Sequence, residues 1–203
     1  MNLSQTRKFC TLAHGSQRYG STSVDDGGMD GYHPYSYHLR QVEQLAIFYG
    51  FGHDKSIRKA CWGHDVLEDT KTIKADLLQA GFTAYEVTLI DAVTDGIAPT
   101  RHERKLEAYR KINLTPDAVI VKLCDRIANV THALQAGEDR KYNLYVNEQP
   151  GFEAAINSCL KDDVRVQAMW ARLHYLFSAE GHAHLYKTMH CCSNVKHHHR
   201  HVA

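Results

Sequence analysis

The segment from Thr115 to Gly137 constrains the fold more than any other. Thr115-Pro116-Asp117 reads as a helix start, with Thr115 as the cap, Pro116 at the first helical position and Asp117 facing the positive end of the helix dipole. Gly137 reads as the stop. Between them Ala118, Val119, Ile120, Val121, Leu123, Ile127, Ala128, Val130 and Leu134 are apolar on most sides of the wheel. A helix apolar nearly all round is central and buried, so other helices must surround it. Helical spacing supplies them at residues 3–14, 35–49, 72–80, 83–93, 101–112, 138–148, 152–159 and 161–179, with Pro150-Gly151 as a break. A further helix capped by Asp54 runs through residue 70. No convincing strand alternation and no internal repeat occur. The expectation is an all-α fold of roughly eight to ten helices. It forms one domain over residues 1–180, with a histidine-rich tail over 181–203.

Composition narrows the classes. The 203 residues carry a formal net charge of +1 and no basic stripe with interleaved aromatics, which argues against a nucleic-acid partner. No apolar run approaches the roughly 20 residues of a membrane span, and Met1 to Arg7 lacks a signal-peptide core. Cys10, Cys61, Cys124, Cys159, Cys191 and Cys192 show no zinc spacing. Cys61 and Cys124 sit in apolar helical stretches and read as small core residues in a reducing cytosol, so the expected location is cytoplasmic. A homo-oligomer is left open.

Two stretches place polar groups where burial is costly. The first is Ala60-Cys61-Trp62-Gly63-His64-Asp65-Val66-Leu67-Glu68-Asp69-Thr70. At about 100° per residue it sets His64, Asp65, Glu68 and Asp69 within an arc of roughly 140°, with Trp62, Val66 and Leu67 elsewhere. The second is the stripe Lys122, Asp125, Arg126, Asn129 and His132 on the central helix. Such groups need a partner, and a divalent cation is one; for residues 60–70 alone, a solvated acidic face is the alternative. His38 on the second helix, His64 and Asp65, and Asp125 offer a mixed nitrogen and oxygen donor set. That set suits manganese or ferrous iron better than zinc, with positions left for water and substrate oxygens. Glu68 and Asp69, one turn beyond His64-Asp65, are placed to act on water as base or positioning groups. Taken singly, His38 also reads as an ordinary helix histidine, and Asp125 and Arg126 as an ion pair.

The order His38, His64-Asp65, Asp125 resembles the HD phosphohydrolase superfamily. Further segments extend the likeness: His14-Gly15-x-Gln17-Arg18, Pro34-Tyr35-x-x-His38, Ala60-x-x-x-His64-Asp65-x-x-Glu68-Asp69-Thr70, Val93-Thr94-Asp95-Gly96, Arg104-Lys105, and Val121-Lys122-Leu123-x-Asp125-Arg126-x-x-Asn129. Over about residues 5–150 they resemble the hydrolase domain of the bifunctional alarmone synthetase-hydrolases and the stand-alone small alarmone hydrolases. The resemblance implies one Mn²⁺ held by His38, His64, Asp65 and Asp125, with Fe²⁺ or Mg²⁺ less expected. It implies Glu68 and Asp69 as the catalytic pair that prepares the attacking water. The implied reaction removes the 3′-diphosphate of guanosine tetra- or pentaphosphate, leaving GDP or GTP and pyrophosphate. Arg18 would line the nucleotide pocket and Asn129 would hold the ribose, with Lys122, Arg104 and Lys105 near phosphates.

This chain departs from the pattern at four positions: Tyr19 replaces a lysine, Leu39 a proline, Gly63 a leucine and Ala128 a histidine. No synthetase or regulatory domain follows, so the stand-alone type is expected. The segment Gly20 to His33, with Gly27, Gly28 and Gly31, is longer than usual and is expected to fold over the nucleotide as a lid. Tyr19 and this segment leave other substrates open: an adenosine alarmone, the 2′-phosphate of NADPH, or a nucleoside monophosphate. A non-catalytic nucleotide sensor is the reading from another class, and the full set of ligand and acid-base residues argues against it.

Overall fold

The computed structural model describes residues 1–20 and 33–183. Its elements in chain order are α1 (Leu3–His14), β1 (Arg18–Tyr19), β2 (His33–Pro34), α2 (Ser36–Ala46), α3 (Lys55–Gly63), α4 (Val66–Asp69), α5 (Lys74–Ala80), α6 (Ala84–Val93), α7 (Arg101–Leu114), α8 (Ala118–Ala136), α9 (Asp139–Ile156) and α10 (Val164–Phe177). Helix α8 is the axle, packed by α2, α3, α6, α9 and α10. Val119, Val121, Leu123, Cys124, Ile127 and Val130 on it are fully buried. Each large aliphatic side chain hidden in this way contributes about 1.5–3 kcal/mol, which holds the surrounding shell together.

The entry to α8 differs from the expectation. Thr115 does not cap it: its N–H donates to the Ile112 carbonyl, closing α7. The chain then turns through Ala118 to Thr115, Val119 to Pro116 and Ile120 to Asp117 hydrogen bonds. Asp117 stands at the cap position with helical φ −63° and ψ −21°, and its carboxylate accepts the Tyr85 hydroxyl instead. A side-chain cap needs an extended residue, and the short α7–α8 connection leaves no room for one. Gly137 does end the helix, in the left-handed conformation with φ 67°.

Other boundaries also move. Helix α9 runs through Pro150-Gly151, where a break was expected. Tyr145 and Gln149 before the proline and Phe152 and Ile156 after it are all buried, so packing secures both halves. Pro150 and Gly151 lie on the exposed side, where a carbonyl released from the helical ladder meets solvent. The expectation of no strands gives way to one antiparallel pair of two-residue strands, Arg18 opposite Pro34 and Tyr19 opposite His33. The chain leaves α2 through a wide turn over Ile47–Phe51, with Gly50 at φ 90°. The stretch 60–70 is two helices, α3 and α4, parted at His64-Asp65.

Two features fix the helices that carry the site. Glu43 on α2, 3% exposed, accepts from Arg7 of α1 and from Arg58 and the Trp62 indole of α3. Breaking such a buried charge cluster from one side leaves an uncompensated carboxylate. Gly63 lets α3 lie against α6: a Cβ there would sit 2.5 Å from Ile90 Cδ1. That contact accounts for glycine where the resembled family has leucine. Leu39 and Ala128, the other apolar departures, are buried in the core. Cys61 and Cys124 are free and buried, as expected, Cys10 and Cys159 are free and buried too, and Cys191 and Cys192 lie outside the described residues. Residues 181–183 are helical, and the histidine-rich remainder of the tail lies outside the described residues, as does most of the expected lid. Among the described residues no helix is long and apolar enough to cross a membrane.

Candidate metal centre

Helices α2, α3 and α8 converge so that four ligand-type side chains meet. His38 and His64 are nearly inaccessible, 1% and 3% exposed, with their Nε2 atoms 3.2 Å apart. Asp65 Oδ2 lies 2.8 Å from His64 Nε2 and 3.6 Å from His38 Nε2. From α8, Asp125 Oδ1 lies 3.2 Å from His38 Nε2 and 3.5 Å from His64 Nε2. One ligand atom each from His38, His64 and Asp65 fall within 4.8 Å of one another.

The helix break at His64-Asp65 makes this geometry. Asp65 adopts φ −99° and ψ −5°, which turns its carboxylate beside the preceding imidazole rather than a quarter-turn away. The same turn places His64 Nδ1 2.8 Å from the Cys61 carbonyl. A carbonyl only accepts, so Nδ1 is the donor of that bond and Nε2 is the nitrogen left facing the cluster.

The cluster is built for positive charge. Burial opposes charging His64, yet Asp65 and Asp125 overcome it and hold its pKa well above the usual histidine range. Burial raises the carboxyls, but the imidazole beside them prevails: Asp65 is brought down to about 2 and Asp125 well below the usual range. The same lone pairs are the ones a metal cation would use. Neighbouring donors about 3 Å apart also match bonds of about 2.1 Å to a single ion. The residues therefore fit a divalent metal of the kind that takes nitrogen and oxygen together.

Glu68 and Asp69 follow on α4, and they diverge. Asp69 Oδ2 takes the Tyr35 hydroxyl at 2.9 Å and the Gln17 amide at 3.2 Å. That same hydroxyl lies 2.6 Å from Asp65 Oδ2, so one proton serves two carboxylates. His14, bonded to Gln17, stacks on the Tyr35 ring with centroids 4.2 Å apart. Glu68 points to the other side, accepting the Asp95 N–H at 3.1 Å. Burial, then the Asp95 charge, raises its pKa.

A cavity of about 280 Å³ opens above the cluster. Its lining combines a floor of His38, Asp65, Asp125, Glu68 and Asp69 with a wall of cations, Arg101, Lys105, Lys122 and Arg126, and Lys122, 3.9 Å from Asp125, joins the two. Burial lowers the pKa of Lys105, and Lys122 beside it lowers it further, the mark of crowded cations. Arg126 is 6% exposed and gives Nη1 to Glu148 at 3.0 Å. Its Nε and Nη2 are buried without a hydrogen-bond partner among the described residues. The guanidinium lies over Tyr145 and Phe152, at 4.8 and 4.5 Å from the ring centroids.

The expected site residues fall into two groups. His38, His64, Asp65 and Asp125 meet, and Glu68, Asp69, Lys105, Lys122 and Asn129 join them around the cavity. Asn129 donates to Asp125 Oδ1 at 2.5 Å and accepts the Tyr19 hydroxyl at 3.0 Å. Lys122 donates to the Val93 carbonyl at 3.1 Å, and Lys105 pairs with Asp95 at 3.0 Å. Arg104 and Arg18 are not among the cavity-lining residues. Arg104 donates to the Ala98 carbonyl, and Arg18 is exposed on β1. Sequence reasoning missed Arg101, Tyr109, Tyr145, Phe152 and Tyr35 among the lining residues, and it put Arg126 on the candidate stripe without giving it a role. Tyr35 and Arg126 each lay inside a quoted segment, beside a ligand. Tyr145 and Phe152 carried no signal, because the expected break at Pro150 set them on separate helices.

No protein-family model matches the chain, and no curated protein sequence matches it. Solved structures do. One is a metazoan ortholog of SpoT that hydrolyzes ppGpp and plays a role in starvation responses. It superposes with a TM-score of 0.63 at 18% identity, over 84% of this chain and 94% of that one. At that identity the likeness is one of fold: the chain has the all-α HD-type helical fold.

Proposed function

We propose that this chain is a divalent-metal-dependent phosphohydrolase that removes the 3′-diphosphate of guanosine tetra- or pentaphosphate. Water adds to the phosphorus next to the ribose, the bond from that phosphorus to the ribose 3′-oxygen breaks, and GDP or GTP and pyrophosphate leave. The observation that carries the reading is that the cavity lined by His38, Asp65 and Asp125, with His64 against them, is lined as well by four cationic side chains, Arg101, Lys105, Lys122 and Arg126. The superposition on a ppGpp-hydrolyzing protein supports it.

His38, His64, Asp65 and Asp125 would hold the ion, Mn²⁺ by preference. Such an ion supplies a more acidic water and charge stabilisation at a phosphoryl oxygen. Glu68, with its raised pKa, and Asp69, oriented by Tyr35 and Gln17, are placed at the cavity floor to take and return a proton. Lys105, Lys122 and Arg126 face the developing negative charge of the phosphates.

Another phosphorylated nucleotide is the second reading. It is favoured by Tyr19, which puts a buried phenol where the resembled family has a lysine. Product analysis with Mn²⁺ over ppGpp, pppGpp, an adenosine alarmone, NADPH and GMP separates the two. Pyrophosphate from the guanosine alarmones is the expected result. Orthophosphate as the main product, or turnover confined to NADPH or GMP, overturns the first reading.

A further inference from the structure

Tyr19 stands where the resembled family has a lysine, and it is not among the residues lining the cavity. It is 6% exposed and lies behind the metal centre. The two-strand ribbon turns it inward, opposite His33. Its ring stacks on the His38 imidazole with centroids 4.5 Å apart and planes 12° apart. Its hydroxyl donates to Asn129 Oδ1 at 3.0 Å, and Asn129 Nδ2 donates to Asp125 Oδ1 at 2.5 Å. That same Asp125 oxygen lies 3.2 Å from His38 Nε2. The contacts close a circuit: Tyr19 to Asn129, Asn129 to Asp125, Asp125 to His38, and His38 back to the Tyr19 ring.

We propose that Tyr19 is a positioning residue of the metal centre, bracing His38 with its ring and Asp125 through Asn129. The proposal rests on the reading of this cluster as metal-binding. Two ligands from two helices are steadied by one side chain outside the donor set. An amide can present either end to a carboxylate, and only one end donates. The Tyr19 hydroxyl settles that choice by donating to Asn129 Oδ1. Groups that orient ligands in this way commonly change metal affinity about 10–100-fold when removed.

The test is Mn²⁺ binding by the full chain, followed by calorimetry and by the electron paramagnetic resonance of free Mn²⁺. Tyr19→Phe keeps the stack and removes only the hydroxyl. It is expected to weaken Mn²⁺ about tenfold, with an unchanged melting temperature in chelator. Asn129→Ala is expected to weaken it at least as much. The double variant should be no weaker than Asn129→Ala alone, because the hydroxyl acts through Asn129. At saturating Mn²⁺ the nucleotide KM of Tyr19→Phe should stay within about twofold of the parent. Unchanged Mn²⁺ affinity in Tyr19→Phe, additive losses in the double variant, or a raised KM with metal affinity intact would each overturn the proposal. A parent chain that binds no Mn²⁺ overturns the metal-centre reading itself, so the two failures are distinguishable.

Discussion

The floor and the far wall of the cavity solve opposite electrostatic problems. On the floor, each of two carboxylates lies within 2.8–3.6 Å of both imidazoles, a set of donors suited to a cation. On the wall, cations are crowded but most already have partners: Lys105 has Asp95, and Arg101 and Arg126 share Glu148. Among the described residues, Arg126 keeps Nε and Nη2 buried without a hydrogen-bond partner. Under the proposed function the floor would hold the metal, and the wall would select the anion. The two functions are separable by substitution.

The largest effect tests the floor. His64→Ala or Asp65→Ala should lose Mn²⁺ binding and bring pyrophosphate release to background, as should complete chelation of the parent. Turnover that survives either treatment breaks the metal mechanism. Next comes the wall. Arg126→Met keeps volume under Tyr145 and Phe152 while removing charge, and should lower kcat/KM about 10–100-fold, the size of lost hydrogen bonds to a charged group. Calorimetry should find its Mn²⁺ affinity unchanged. If metal affinity falls with it, floor and wall are one unit and the comparison fails.

A third prediction moves the floor from behind. Gly63→Ala drives a Cβ into Ile90 and should cost about 1–3 kcal/mol in urea denaturation, the usual penalty of overpacking. Ile90→Val in the same chain should recover part of that loss. The smallest effect lies at Glu68. A carboxyl whose pKa is raised in the folded state holds its proton more tightly folded than unfolded. It stabilises the fold below the unfolded pKa, and that contribution is lost as pH rises through the folded value. At pH 7 the ionised Glu68 works against the fold. Glu68→Gln should slightly raise the melting temperature of the chelated protein at pH 7, with the gain gone by about pH 4, while abolishing turnover.

These two regions also differed in how far the sequence disclosed them. The floor was legible because its chemistry is local: His64 and Asp65 are adjacent, and Asp125 stands out as a carboxylate on an otherwise apolar helix. The break between α3 and α4 was not legible, since a helical wheel already put His64 and Asp65 on one face and gave no reason to end it. The wall was hidden because it is assembled by packing. Arg126 reads as half of an ion pair until α9 brings Tyr145, Glu148 and Phe152 over it. That placement depends on a helix continuing through Pro150, against its local propensity. Asn129 was legible as a site residue and Tyr19 only as a departure from the resembled pattern, because side-chain direction decides their contacts and residue spacing carries no record of it.

The paired strands at Arg18–Tyr19 and His33–Pro34 have a consequence for how such a chain can vary. They clasp both ends of the intervening stretch next to His38 and Asp125. The entropy of closing a chain between fixed ends grows only with the logarithm of its length, about 0.6 kcal/mol per doubling. With the clasp in place, residues can be gained or lost between the strands while the ligands keep their spacing. The centre is insulated from the length of its neighbour, so that stretch is free to diverge where the donor set is not.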